Sequence, residues 1–280
     1  HHISNILSNV MNPAPQKSPA AILFDRYIGV DYSGARTPVT SLRGLRIYMA
    51  GRAQAPVEIL PPPSRRKYWT RKNAAHWLLE RLNEPTRTLI GLDHGFSFPL
   101  SYFEKYRLPL DWPGFLEDFH RHWPTDQDQV SVEDVRRGTV GRGQARFGHP
   151  RWLRLTEQRA RTAKSVFRFD VHGSVAKSTH AGLPWLLMIR RQMGRHVHFW
   201  PFDGWEIPAG LSVMVEVYPS LWRREMPMEG RTPDQHDAYT VVAWMRKADY
   251  EGSLADFFSP ALTPNERKQA SIEGWILGVR

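Results

Sequence analysis

Two stretches of this 280-residue chain end alike. Tyr27 to Asp31 reads YIGVD and Thr88 to Asp93 reads TLIGLD, each an apolar run with a glycine two residues before a terminal Asp. A carboxylate at the end of a buried strand is costly to hold as a bare charge, so it calls for a cation, a set of donors or a turn to cap. A third acid, Glu216, lies near the end of the apolar run at Leu211 to Val217, and Asp234 and Asp237 stand three apart, the spacing of one helix face. The chain has no cysteine, so any metal must rest on carboxylates or histidines. Oxygen donors of this kind suit Mg²⁺ or Mn²⁺. Two such ions roughly 4 Å apart can activate a water and neutralise a leaving oxyanion, the two demands of phosphodiester hydrolysis.

Each acid also has a plainer reading. Asp31 can accept from the backbone of Ser33 and Gly34 in an Asx-type turn, and Asp93 can cap the turn toward Gly95. Asp234, in the first helical turn after Thr232-Pro233, can simply satisfy orphan N–H groups and the helix dipole. The metal reading gains from the repetition: two strands end in the same acid after the same glycine, and a late helix supplies more. His94 and His236 each adjoin a proposed acid and are candidate proton carriers, though a surface histidine is the simpler reading for both. His196 and His198 share a strand face without a third ligand at zinc spacing.

The elements that must position these acids follow from periodicity. Strands at Leu45 to Ala50 and Pro56 to Leu60 continue the first strand as an antiparallel meander. A helix capped by Thr70, with Ala74, Ala75, Leu78, Leu79 and Leu82 at helical spacing, then leads to the second Asp-terminated strand. If that helix is a right-handed crossover, the two Asp-bearing strands are parallel and Asp31 and Asp93 emerge at one edge of the sheet. Trp112 to Trp123, Ser131 to Arg137 and Gly173 to Met193 read as helices, His196 to Trp200 as a short strand and Pro264 to Ala270 as a tail helix. Thr232-Pro233 opens a well-patterned helix with Ala238, Val241, Val242, Met245 and Ala248 on one stripe.

Composition narrows the partners. The formal charge is +10, and from Arg136 to Arg168 ten Lys and Arg face one acid, with Phe147, Trp152 and Phe167 interleaved. Arg136, Arg137, Arg142, Arg146, Arg151, Arg154 and, near a helix N-terminus, Lys177 are therefore the candidate contacts to a nucleic acid, DNA or RNA. Aromatic side chains among cations suit unpaired bases. The segment Gly173 to Ser178, GSVAKS, lacks the glycine before Lys and the clear preceding strand of a Walker loop. The longest apolar run is far short of a membrane span. Absence of cysteine fits a reducing cytoplasm. Residues 1–10 read as a tag remnant, Met11 as the native start, and the Pro-rich stretch to Ala20 as disordered.

Strand-Asp, meander, helix, strand-Asp, strand-Glu and a helix opening Asp-x-x-Asp, in that order, resemble the ribonuclease H-like fold. GVDYSGA, GLDHGFSFP, EVYPS and DQHDAYTVVAWM resemble the predicted nuclease family of that fold known as domain of unknown function 429, and the likeness extends over SVAKSTHAGLP, WPFDG and EGWILGV. The resemblance implies one α/β domain from residue 21 to 280, a mixed sheet flanked by helices, with Leu100 to Val171 inserted as a helical basic lobe. It implies a nuclease using Mg²⁺ or Mn²⁺ held by Asp31, Asp93 and Asp237, with Glu216 and Asp234 assisting. Two alternatives keep the scaffold: an actin-like phosphotransferase or ATPase using the YSGA turn, and a non-catalytic nucleic-acid binder.

Overall fold

The computed structural model describes residues 21–280, so the expectations for the first twenty residues lie outside the described residues. Its centre is a mixed sheet of six strands in the order β3-β2-β1-β4-β6-β5. These are β1 (Arg26–Asp31), β2 (Arg46–Gly51), β3 (Val57–Glu58), β4 (Thr88–Leu92), β5 (Val197–Phe199) and β6 (Ser212–Glu216). The first three pair antiparallel, whereas β1, β4, β6 and β5 run parallel. Nine α-helices accompany them among the described residues: α1 (Arg71–Leu82), α2 (Leu100–Lys105), α3 (Trp112–His122), α4 (Val132–Arg136), α5 (Leu155–Ala160), α6 (Ala176–Met193), α7 (Pro233–Tyr250), α8 (Leu254–Phe257) and α9 (Pro264–Glu273). None of them is long and apolar enough to cross a membrane.

Strand periodicity divides the core into two halves. Ile28, Val30, Ile90, Leu92 and Met214 face one side and pack with α1, α3 and α6. Tyr27, Leu89, Val213, Val215 and Val217 face the other and pack on Ala238, Val241, Val242 and Met245 of α7. Successive side chains of a strand point to opposite faces, so the central strands, buried on both, read as continuous apolar runs. The segment from Leu100 to Val171 is not a detached lobe. Tyr102, Phe103, Phe115, Phe119, Trp123, Val135 and Phe167 belong to the same core as the first face of the sheet.

The two repeated glycines explain how α7 reaches the sheet. Gly29 and Gly91 are register partners on neighbouring strands. A Cβ on Gly29 would lie 2.9 Å from the Ala238 carbonyl oxygen, and one on Gly91 would lie 2.8 Å from a Val217 methyl and 3.0 Å from Val241. Only glycine lets the helix approach this closely. The N-terminus of α7 is fixed by a capping box in which Thr232 accepts from the Gln235 N–H and the Gln235 side chain accepts from Thr232 N–H.

Candidate metal centre

Three carboxylates meet where β1 and β4 end and α7 begins. Ligand oxygens of Asp31, Asp93 and Asp237 all lie within 4.8 Å of one another. The spacing of two from each glycine puts Asp31 and Asp93 on the α7 face of the parallel pair, and the Asp93 N–H donates to the Val30 carbonyl at 3.1 Å, extending the ladder one residue past β4. Asp237, in the second turn of α7, is carried to them by the close approach over Gly29 and Gly91. Neither plainer reading of Asp31 or Asp93 is realised: among the described residues Asp31 accepts no backbone hydrogen bond from Ser33 or Gly34, and Gly95 N–H goes instead to Thr179 Oγ1 at 2.8 Å.

Electrostatics make this cluster unsatisfied as it stands. Burial first, then the Asp93 and Asp237 charges, push the Asp31 carboxyl well above the usual carboxylate range. Burial likewise pushes Asp93 up to about 7, although a hydrogen bond from the Asp31 carboxyl opposes it. Asp237 is raised by burial, against the pull of Arg223, whose Nη2 donates to its Oδ2 at 3.0 Å. Like charges confined together must take up protons or a cation. The donor set is all carboxylate oxygen from three separate elements, which fits a metal ion of hard character.

Asp234 stands one turn before Asp237. It makes no hydrogen bond or ion pair among the described residues, since Thr232 and Gln235 cap the helix. Its charge nonetheless contributes to the rise at Asp31 and Asp237. It lies at the cluster's edge rather than within it.

Glu216 requires a correction. It shares the face of Met214, opposite Val215 and Val217, and so points away from the aspartates. Its carboxylate accepts from Arg154 Nη1 at 2.8 Å and Nη2 at 2.6 Å, and from the Phe96 N–H at 3.3 Å. Arg154 requires the complementary correction, because its exposure is 0% and it cannot meet a phosphate from solvent. Its Nε donates to Glu157 at 2.9 Å, and Nη1 also reaches the Glu273 carbonyl at 3.1 Å.

The other basic candidates divide. Arg146 is bidentate to Asp118 at 2.7 and 2.9 Å, Arg136 pairs with Glu133 at 3.0 Å, and Lys177 approaches the same Glu133 at 3.3 Å. Arg137, Arg142 and Arg151 are exposed and in no ion pair among the described residues. The histidine readings change as well, since His94 and His236 are both buried. His94 packs edge-on against Tyr32 on the α6 side, with Nδ1 donating to the Gly95 carbonyl at 2.8 Å. His236 Nε2 donates to the Arg223 carbonyl at 2.9 Å, so it positions the arginine that faces Asp237.

Two positioning residues escape the sequence reading. Arg223 is one. Arg71, the other, looks like part of a solvated basic run, yet it is buried and donates to the carbonyls of Ser33, Ala35 and Arg36 at 3.1, 2.6 and 3.0 Å. It clamps the loop leaving Asp31. Gly34 in that loop abuts the first turn of α6 so tightly that a Cβ would fall 2.2 Å from the Lys177 carbonyl carbon.

No family model, no curated protein and no solved structure matches the chain.

Proposed function

We propose that the protein is a metal-dependent nuclease of ribonuclease H-like architecture, cutting phosphodiester bonds at the Asp31–Asp93–Asp237 cluster. One observation carries the reading: three carboxylates from two parallel strands and a late helix converge with Arg223 as their one directly bonded cation among the described residues. The strand order supports the fold assignment, because an antiparallel meander whose first strand lies beside parallel neighbours is the arrangement that the resemblance implies.

In this reading Asp31, Asp93 and Asp237 hold Mg²⁺ or Mn²⁺, which supplies Lewis-acid stabilisation of the phosphoryl oxygens and a water of lowered pKa. Asp31, the most buried of the three, is locked by the β1 ladder and provides the fixed point. Asp93 and Asp237 are part-exposed and open the cluster to a phosphate from solvent. Asp234 adds negative charge that favours a cation over an empty site. Arg71 keeps the Ser33–Arg36 loop in place beside the scissile phosphate. Purified protein with Mg²⁺ or Mn²⁺ is expected to cut labelled nucleic acid, and Asp31→Asn to lower the rate at least a hundredfold with the fold intact. Equal cleavage by that variant removes the proposal.

A further inference from the structure

Beside His180 in the second turn of α6 and Arg136 of α4, the surface opens into a cavity of about 160 Å³. Its walls are flat: Phe147, Phe167, Phe169, Pro150, the guanidinium of Arg136 and the imidazole of His180. A cavity of roughly 150 Å³ is enough to take up benzene. The walls are held in place from behind. Phe169 has Arg136 over its ring at 4.2 Å and stacks toward Trp123 at 6.5 Å, while Glu133 fixes Arg136 from the solvent side. The backbone at Gly148 lies directly on the Phe167 ring, where a Cβ would come within 2.3 Å. The Phe147 carbonyl accepts from Tyr106 Oη at 2.5 Å.

The residues that flank these walls in sequence have a different character. Arg137, Arg151 and Arg168 are all exposed, and each is adjacent in sequence to a lining residue: Arg136, Pro150, and both Phe167 and Phe169. Against them stands one exposed acid next to a lining residue, Asp170. Inside, His180 Nδ1 donates to the Ala176 carbonyl at 2.8 Å, which leaves a lone pair on Nε2 of the neutral ring. That nitrogen makes no hydrogen bond to the described residues. A slot walled by aromatic rings and one guanidinium, with one free acceptor inside and exposed arginines next to its lining residues, matches a planar heteroaromatic ring carried on a phosphodiester chain.

We propose that this cavity receives one unpaired base of a single-stranded nucleic acid, in contact with Phe147 and Phe169 beside Phe167, with the flanking phosphates on Arg137, Arg151 and Arg168. The inference rests on the nucleic-acid reading of the protein but not on the metal cluster. Gly34, in the loop that leaves Asp31, packs on the first turn of α6, and His180 of the cavity follows in the next turn of the same helix.

The test is binding of a labelled single strand of about ten nucleotides, within the span that one groove covers, to the full chain in EDTA. The strand is scanned with one abasic position at a time. At one position base removal is expected to weaken binding about five- to a hundredfold, the range for one base–aromatic stack. Phe169→Leu and the exposed-site variant Phe147→Ala are expected to shrink that difference, with circular dichroism unchanged. A scan flat at every position, or a difference untouched by both variants, overturns the base pocket. Adenosine monophosphate binding as tightly as the intact strand also overturns it, in favour of a small-molecule site. Should no strand bind in EDTA, the nucleic-acid reading falls along with the pocket. Cleavage with Mg²⁺ but a flat scan leaves that reading standing and removes the pocket alone.

Discussion

The two faces of the sheet carry carboxylates at neighbouring positions and treat them in opposite ways. On the α1–α6 face Glu216 and Glu157 are buried around Arg154, whose guanidinium is bonded to both, although burial still pushes Glu157 up to about 7. On the α7 face Asp31, Asp93 and Asp237 turn toward one another, and the one cation directly bonded to them among the described residues is Arg223 at the rim. Asp31, Asp93 and Glu216 all sit at the carboxyl ends of neighbouring parallel strands, so local structure does not distinguish them. What distinguishes them is counter-charge. A buried acid with its own arginine is structural, and removing one partner strands the other. A cluster of three acids whose one bonded arginine stands half-exposed at the rim invites a cation from outside.

The largest effect that separates the two faces is expected from Arg154. Arg154→Met leaves Glu157 and Glu216 buried without a cation and should lower unfolding free energy by about 3–5 kcal/mol, measured by urea denaturation. A loss below about 1 kcal/mol would place the network outside the stabilising core.

Next comes the helix approach. Gly29→Ala inserts a methyl against the Ala238 carbonyl and should cost about 1–3 kcal/mol. It should also abolish the rise in melting temperature on adding Mn²⁺, because Asp237 is pushed off the other two acids. Retained metal stabilisation would show that α7 need not lie so close.

Asp31→Asn sharpens the contrast by its sign. In metal-free protein at pH 8 it should raise stability by about 1 kcal/mol or more, since it removes one of three like charges. Glu216→Gln, which removes an acid that has a partner, should lower it. The pH dependence follows from the same groups. An acid whose folded pKa is raised binds a proton in the native state that the unfolded chain has already lost. Its stabilising contribution is therefore complete below the ordinary value of 3.8 and is lost as pH rises through about 7 for Asp93. His180 runs the other way. Burial lowers it to about 3, so its contribution is full above about 6.5 and declines as pH falls toward 3. Stabilisation by Mn²⁺, which competes with protons at the aspartates, should accordingly be larger at pH 8 than at pH 5.5 in calorimetry.

The smallest expected effect is at Arg223, whose side chain is 44% exposed. Arg223→Ala should change stability by less than about 1 kcal/mol while tightening Mn²⁺ binding, because it frees Asp237. Weaker binding would mean that the arginine helps to shape the site rather than competing for it.

Much of the α7 face is legible in the chain. The Gly-x-Asp strand endings, the crossover helix between them and the Thr232-Pro233 start of α7 together place Asp31 and Asp93 on one edge and Asp237 above them. Period-two alternation makes the glycine and the acid share a face, and that is a local fact. Glu216 could not be oriented in the same way. SVMVEV is buried on both sides, so apolar residues give no parity, and its face depends on Arg154 62 residues away. Arg154 in turn sits in a run of cations that looks solvated; only tertiary burial singles it out. Arg71 hides similarly beside Lys72, and the buried settings of His94 and His236 depend on α6 and on the loop at Arg223.

The most direct measurement is anomalous diffraction from crystals soaked in Mn²⁺. A strong peak bounded by Asp31, Asp93 and Asp237 is expected, lost in Asp31→Asn, with none beside Glu216. A metal peak at Glu216, or none among the three aspartates in crystals that take up Mn²⁺ elsewhere, would contradict the metal reading.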